Sequence, residues 1–225
     1  MITLDARLQA CADFVTGRGM ACDVGTDHAY LPAYLILSRK CAKALACDVR
    51  DGPLNAARQT LVRWNVSQAV ELVKSDGLKS VPMQGVTDLI LAGMGGELIC
   101  AILQGAAAPL RDLNLILQPM TQAPMLRKWL YANGFALCAE RPVRQERFLY
   151  TVMQAAYTGE CREISPRMQQ TGVMDVSEPL AREYVRMQAH RLEKAGLGIQ
   201  KGNKGGFNEP LELAYEIYDW LENTD

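Results

Sequence analysis

Short apolar runs alternate along this chain with longer stretches in which apolar residues recur at helical spacing. Leu4, Leu8, Cys11 and Val15 share one face of a predicted helix over Thr3–Thr16, with Gly17 and Gly19 ending it before an apolar run, Gly19–Cys22, that reads as a first strand. Further strands are predicted at Ala42–Val49, Val70–Lys74, Val86–Leu91 and Leu113–Leu117. The run at Val86–Leu91 is continuously apolar, as in a central parallel strand buried on both faces. Helices fall between them, at Ala33–Ser38, from Gly52-Pro53 to about Asn65, at Glu97–Gln104 and at Pro124–Tyr131, and Pro53 suits a first helical turn, where a missing N–H costs nothing. Phe135–Glu140 and Phe148–Ala156 are two strands joined by the polar Arg141–Arg147 and can only form a hairpin. This order predicts an α/β fold with a mostly parallel, doubly wound sheet and an antiparallel strand near one edge.

Beyond Tyr157 the pattern changes. Thr158–Ser177 reads as a linker or short irregular helix. Pro179–Ala195 is a helix with Leu180, Tyr184, Met187 and Leu192 as its apolar stripe, and Glu209–Asn223 is a second, with Leu211, Ala214, Tyr215, Tyr218 and Leu221 or Ile217 inside. The glycine-rich Lys201–Gly206 separates them, which gives an antiparallel helical hairpin. The expected division is therefore a sheet domain over residues 1–157 and a hairpin domain over 158–225.

Composition narrows the class. The 225 residues suffice for a sizeable core, and formal charge is −1. No apolar run approaches the roughly 20 residues that span a bilayer, and no basic-then-apolar leader opens the chain, so a cytoplasmic address without membrane contact is expected; a monomer is the expected state. Seven scattered cysteines, with Cys22, Cys41, Cys47, Cys100 and Cys138 in apolar contexts, fit buried free thiols better than disulfides or a metal site, and no metal is expected. Charge is segregated in the hairpin. Arg182, Arg186, Arg191 and Lys194 decorate its first helix, whereas the charged residues of Glu209–Asp225 are all acidic. A charge run of this kind more often pairs with its neighbour than with phosphate. Lys201 and Lys204, in the loop, are the better phosphate candidates, with Arg182 and Arg186 as further candidate contacts.

The chemistry gathers at strand ends. Asp23-Val24-Gly25-Thr26-Asp27-His28 follows the first strand, Asp48-Val49 ends the second, Asp76-Gly77-Leu78 follows the third, Ala92-Gly93-Met94-Gly95-Gly96 the fourth, and Gln118-Pro119 the fifth. Ligands of open α/β sheets bind outside the carboxyl ends of the strands. The first turn lacks the three glycines of a dinucleotide site, and its acids repel phosphate while favouring hydroxyl and ammonium donors. A sulfonium nucleoside such as S-adenosylmethionine suits that field. Asp48 can accept both ribose hydroxyls, and Asp76 the adenine amino group with Gly77 against the ring. Gly25 lets backbone approach the nucleoside, and Gly93 and Met94 line the floor beneath the transferred methyl. Asp27 or His28 can lie near the methionine end or the acceptor. The competing reading makes Thr26 or Asp27 a helix cap and His28 plain surface.

These segments resemble, over essentially the whole chain, the bacterial tRNA (adenine(22)-N1)-methyltransferase family, called TrmK. The resemblance implies a Rossmann-like class I methyltransferase domain and a C-terminal coiled-coil hairpin for tRNA, with S-adenosyl-L-methionine as donor and S-adenosylhomocysteine as product. Two positions depart from the family: Met120 follows Gln118-Pro119 where asparagine is expected, and Asp48 stands where glutamate is common. The implied chemistry is attack by adenine N1, whose own lone pair needs no general base. The Asp27 carboxylate would then stabilise the cationic base, and His28 would orient that carboxylate or hydrogen-bond the base. No Asn-Pro-Pro-Tyr or Asp-Pro-Pro-Tyr run follows the fourth strand, which counts against exocyclic-amine methylation. The alternative is a small-molecule methyltransferase whose hairpin is an oligomerisation arm.

Overall fold

A computed structural model describes residues 2–106, 108–202 and 208–224. Its seven strands are β1 (Met20–Val24), β2 (Ala44–Asp48), β3 (Val70–Lys74), β4 (Val86–Gly95), β5 (Asn114–Thr121), β6 (Phe135–Gln145) and β7 (Phe148–Tyr157). They form one sheet in the order β3-β2-β1-β4-β5-β7-β6, parallel except for β7, which runs antiparallel between β5 and β6. Strand order reverses between β1 and β4, and that crevice is where an open sheet of this kind holds its ligand.

Alternation along the strands splits the core in two. Leu45, Cys47, Leu89, Leu91, Leu115 and Leu117 face one side, where Ile99 and Leu103 of α4 (Gly96–Gln104) and Leu126 and Leu130 of α5 (Ala123–Ala132) pack on them. Ala44, Ala46, Ile90 and Ile116 face the other, against α1 (Ala6–Phe14), α2 (Tyr30–Leu37) and α3 (Asp51–Arg63). Burial on both faces explains why β4 and β5 read as continuous apolar runs rather than alternating ones.

Several boundaries differ from those the sequence predicts. Helix α1 starts later, because the Asp5 side chain caps it by accepting from the Leu8 N–H at 2.9 Å. The glycine run after Leu91 is not a loop. It prolongs β4, with two register shifts, so that Ala92, Met94 and Gly95 pair with Gln118, Pro119 and Thr121. Arg141–Gln145, expected as a connection, belongs to edge strand β6, where Val143 is buried and Arg141 and Arg144 are exposed, as suits a charged edge. Cys138, expected among buried thiols, is exposed at the bulge between Leu137 and Ala139.

After β7, α6 (Pro166–Thr171), α7 (Pro179–Gly202) and α8 (Glu209–Glu222) complete the chain. Helix α7 continues well beyond the predicted Ala195. It does so with Gly196 against α8, where a Cβ would stand 2.8 Å from Leu211 Cβ, so glycine permits the close approach. Near the other end, Arg182 bonds the carbonyls of Leu221 and Thr224, which makes the pair antiparallel. A third core joins Ala181, Tyr184, Val185 and Ala189 to Ile217 and Leu221, and to Leu149 of the sheet. The inner face of α7 is thus shifted towards small residues because the sheet as well as α8 packs on it. Tyr215, predicted inside, is exposed, since Ala214, Ile217 and Leu221 already fill the seam.

Candidate functional site

The turn after β1 is pinned to β2: the N–H groups of Gly25 and Thr26 both donate to the Cys47 carbonyl, at 2.8 and 2.9 Å. Gly25 has φ +76°, and a Cβ there would collide with Met94 Cε. Asp27 and Ala29 take left-handed backbone at φ 50° and 53°, a conformation non-glycine residues hold only where the surroundings enforce it. Neither Thr26 nor Asp27 caps α2, whose N-cap is Ala29 with no side-chain bond, so the helix-cap reading fails here. Thr26 Oγ1 instead donates to Asp23 Oδ2 at 2.6 Å.

The strand ends enclose a cavity in two lobes. The larger, about 510 Å³, is lined by Gly25, Asp48, Val49, Asp76, Gly77 and Met94, together with Asp27, Ala92 and Gly93. A smaller one, about 360 Å³, shares Gly25, Asp27, Ala92 and Gly93 and adds Asp23, His28 and Tyr30. Every residue given a donor or acceptor role from the sequence therefore borders one lobe or both, whereas Leu78, Gly95, Gly96, Gln118 and Pro119 of the same segments line neither. Asp48 is buried, its Oδ1 accepting the Arg50 N–H at 3.0 Å. Asp76 is exposed and pairs with Lys79 at 2.6 Å. Gly93 (φ +74°) donates to the fully buried Gln118 Oε1 at 3.1 Å, so Gln118 holds the floor rather than lining it.

Burial pushes the Asp23 carboxyl up to about 6, and the negative charge of Asp48 adds to the rise while the Thr26 hydrogen bond opposes it. His28 and Asp27 are close but not tightly bonded, with Nε2 3.6 Å from Oδ2, and the His28 ring stacks on Tyr30 at 5.5 Å. Both side chains are solvent-exposed at the mouth, Asp27 by 67% and His28 by 48%.

Some lining residues escape the sequence reading. Leu98 and Ile102 of α4 wall the larger lobe, and Arg7 and Tyr30 the smaller. Leu98 carries a signal in retrospect: it stays exposed while Ile99 and Leu103 take the buried face of α4. Among the basic residues of the hairpin, Arg182 departs from its expectation as a phosphate contact, since its donors are committed to the carbonyls of Val176, Leu221 and Thr224. Arg186 and Arg191 are exposed, and among the described residues no arginine or lysine of α7 forms an ion pair with α8. The pairing expected for the charge run is therefore absent there. Lys204 lies outside the described residues, and of Lys201 only the backbone, in α7, is described.

A parallel sheet reversing at β1/β4, with carboxylates at successive strand ends and glycines beneath, defines the Rossmann-like methyltransferase class of fold. A family model described as a methyltransferase domain matches residues 4–153, and the chain belongs to that family. The chain is 33% identical over 155 residues to the tRNA (adenine(22)-N(1))-methyltransferase of Bacillus subtilis, a match covering 68% of this chain and 65% of that protein. It thus spans a little under two thirds of the length of that curated relative. The Streptococcus pneumoniae protein Sp1610, solved in complex with S-adenosyl-L-methionine, superposes with TM-score 0.83 at 27% identity, covering 98% of this chain and 100% of that one. The Bacillus subtilis M1A22 tRNA methyltransferase TrmK superposes with TM-score 0.78 at 24% identity, over 99% and 97% of the two chains, a likeness of fold.

Proposed function

We propose that this protein methylates N1 of an adenine in tRNA, position 22 by analogy with its relatives, using S-adenosyl-L-methionine. The observation that carries the reading is the two-lobed cavity with Asp23, Asp48 and Asp76 at three consecutive strand ends, on a chain similar to a tRNA (adenine(22)-N(1))-methyltransferase. The lining fits the donor: the larger lobe offers a buried carboxylate for a diol and apolar Val49, Leu98 and Ile102 for a base, and the smaller offers a buried carboxylate for an ammonium group.

In this reading Asp48 accepts the ribose hydroxyls, Asp76 and Gly77 meet the adenine edge and face, and Gly25 admits the nucleoside. Gly93 and Met94 floor the reacting centre. The donor supplies an electrophilic methyl group on a sulfonium. Adenine N1 brings its own lone pair, so no residue need remove a proton before attack, and the protein contributes alignment and exclusion of water. The Asp27 carboxylate stabilises the positive charge the base acquires, and His28 orients that carboxylate or hydrogen-bonds the base. The exposed position of both residues at the mouth supports an acceptor delivered from outside by a large molecule, with the base turned out of its stack.

The hairpin, over residues 158–225, is the tRNA-binding arm, with Arg186, Arg191, Lys201 and Lys204 as phosphate contacts. Arg191 also borders a small cleft with Met120, Gln122 and Tyr150 beside the rim, which supports a path for the substrate from α7 to the site. One chain carries all of these groups, so a monomer suffices, and a tRNA acceptor implies a cytoplasmic address. Incubation with labelled S-adenosyl-L-methionine and unmodified bulk tRNA, followed by nucleoside analysis, is expected to yield 1-methyladenosine. Donor binding without tRNA labelling would move a small-molecule acceptor to first place.

A further inference from the structure

A small cleft opens beside the rim, between the end of β5, the start of β7 and α7. It adjoins the floor of the reacting centre, because Pro119 and Thr121 on its wall pair with Met94 and Gly95 of β4. Three hydrogen-bonding groups face it unused. Gln188 of α7 is only 6% exposed, yet its amide makes no hydrogen bond among the described residues. Nor is that amide sealed from solvent: among the described residues the enclosed side-chain atoms without a partner are Arg7 Nε and Asn208 Oδ1, so the Gln188 amide reaches the cleft. Arg191, on the same face of α7, is exposed and forms neither ion pair nor hydrogen bond among the described residues. The third group is the N-terminus of α5. Its N-cap, Gln122, takes left-handed backbone at φ 57° and supplies no side-chain cap, and the first amide to find a helical acceptor is that of Leu126, on the Gln122 carbonyl at 3.1 Å. Gln122 and Ala123 border the cleft, so the positive end of the α5 dipole opens onto it.

A free guanidinium, an uncapped helix start and an amide NH₂, with no carboxylate on the walls, make an anion site. At about 50 Å³ against 510 Å³ for the larger donor lobe, the cleft has room for a small group such as a phosphate rather than for a nucleoside. Phosphate alone leaves one need unmet. It offers acceptors, whereas the Gln188 amide carries an acceptor of its own, Oε1, that requires a donor. A ribose 2′-hydroxyl stands beside the 3′-phosphate in RNA and is missing from DNA, and it supplies that donor. We propose that the cleft binds the 2′-hydroxyl and 3′-phosphate of a nucleotide near the methylated adenine, an assignment that rests on the tRNA reading above. Arg191 and the start of α5 hold the phosphate, and Gln188 bridges phosphate and hydroxyl. Gln188 thereby selects RNA over DNA. The grip anchors the strand one sheet spacing, roughly 5 Å, from the floor at Met94.

The test reads tRNA affinity by filter binding in the presence of S-adenosylhomocysteine, with unmodified transcripts that carry a single 2′-deoxy sugar at each nucleotide around the target adenine in turn. One neutral hydrogen bond corresponds to about a 3- to 10-fold change in affinity. For the wild-type protein one deoxy position is expected to weaken binding by about that factor while the others leave it level. Gln188→Met, which keeps the shape and loses the amide, should bind the all-ribose transcript weaker by the same factor and no longer sense that deoxy position. Arg191→Met should instead lower the slope of log K against log salt by about 0.7–0.9, whereas Gln188→Met leaves the slope alone. Wild-type affinity in Gln188→Met would overturn the assignment, and so would a deoxy penalty that persists in full in that variant. Loss of S-adenosylhomocysteine affinity in Gln188→Met would overturn it in favour of a packing role. Tight binding of inorganic phosphate in calorimetry, with no deoxy-sensitive position, would give the cleft to a free anion. Each of these leaves the tRNA reading standing; failure of the wild-type protein to bind any transcript would bring down that reading and the subsite with it.

Discussion

Asp23 shows how a single side chain carries both a cost and a use. It is a carboxylate buried beside another, Asp48, with one hydroxyl as its donor, and burial keeps its pKa near 6 against 3.8 for the free group. The folded protein therefore holds this proton more tightly than the unfolded chain. The sign follows: the group's contribution to stability falls as pH rises from about 4 through 6, and the charged carboxylate is a burden on the ligand-free protein above that range. An ammonium ligand relieves the burden. Donor affinity is expected to be level near pH 8 and to drop about tenfold per unit below pH 6, a slope that Asp23→Asn should flatten in calorimetric titrations. Asp48→Ala should abolish donor binding outright; near-normal affinity would refute its ribose role. Gln118 acts at the same scale without touching ligand, by holding the Gly93 N–H.

Among the elements, the junction of α5, β6 and α7 depends on one buried ion pair, Arg127 with Glu140. Arg127 is fully enclosed, its Nε 3.1 Å from Glu140 Oε1, with Nη1 on the Gln169 carbonyl at 2.7 Å and Nη2 on Tyr184 Oη at 3.2 Å. Thr151 Oγ1 also donates to Glu140, at 2.7 Å, so sheet, α6 and α7 meet on one satisfied network. Removing one partner leaves the other buried and unpaired, and Arg127→Ala is expected to cost about 3–5 kcal/mol in urea denaturation. Replacing Arg127 and Glu140 together by apolar residues of similar size should cost far less. The network also bears on how the arm can be tested. Ile164 and Met168 pack on the sheet core, so cutting the chain after Tyr157 would bare both that core and Arg127. Substitution on the arm surface is the cleaner experiment.

For the whole molecule, the decisive arrangement is a cavity at the sheet rim with a two-helix arm packed beside it. Arg186 and Arg191 are exposed on α7, and Arg191 lies at the cleft nearest the rim. Arg186→Glu with Arg191→Glu is expected to weaken tRNA binding and to lower the slope of log K against log salt by about 1 to 2, roughly 0.7–0.9 per lost phosphate contact. Affinity for S-adenosylhomocysteine should not change. An unaltered salt slope in filter binding would remove these two residues from the interface. The core of the arm, by contrast, is continuous with the sheet through Leu149, so its direction relative to the site is set by packing rather than by a free linker.

Much of this was legible in the chain itself, because periodicity is a local property. Alternating strand and helix patterns determined the doubly wound sheet, and polar residues at consecutive strand ends marked the rim, since a buried parallel strand can place acids only where it leaves the core. Asp23, Asp48, Asp76 and Gly93 could thus be named from spacing alone. What the tertiary structure decided are meetings between distant segments. Arg7 reaches Met120 across 113 positions, Arg127 finds Gln169 and Tyr184, and Arg182 spends its charge on the end of α8. The extension of β4 through its glycines likewise depended on β5 lying alongside to pair with it. Local pattern says which face of an element is buried. It does not say which neighbour will cover that face, nor which donor will be left without a partner once it has.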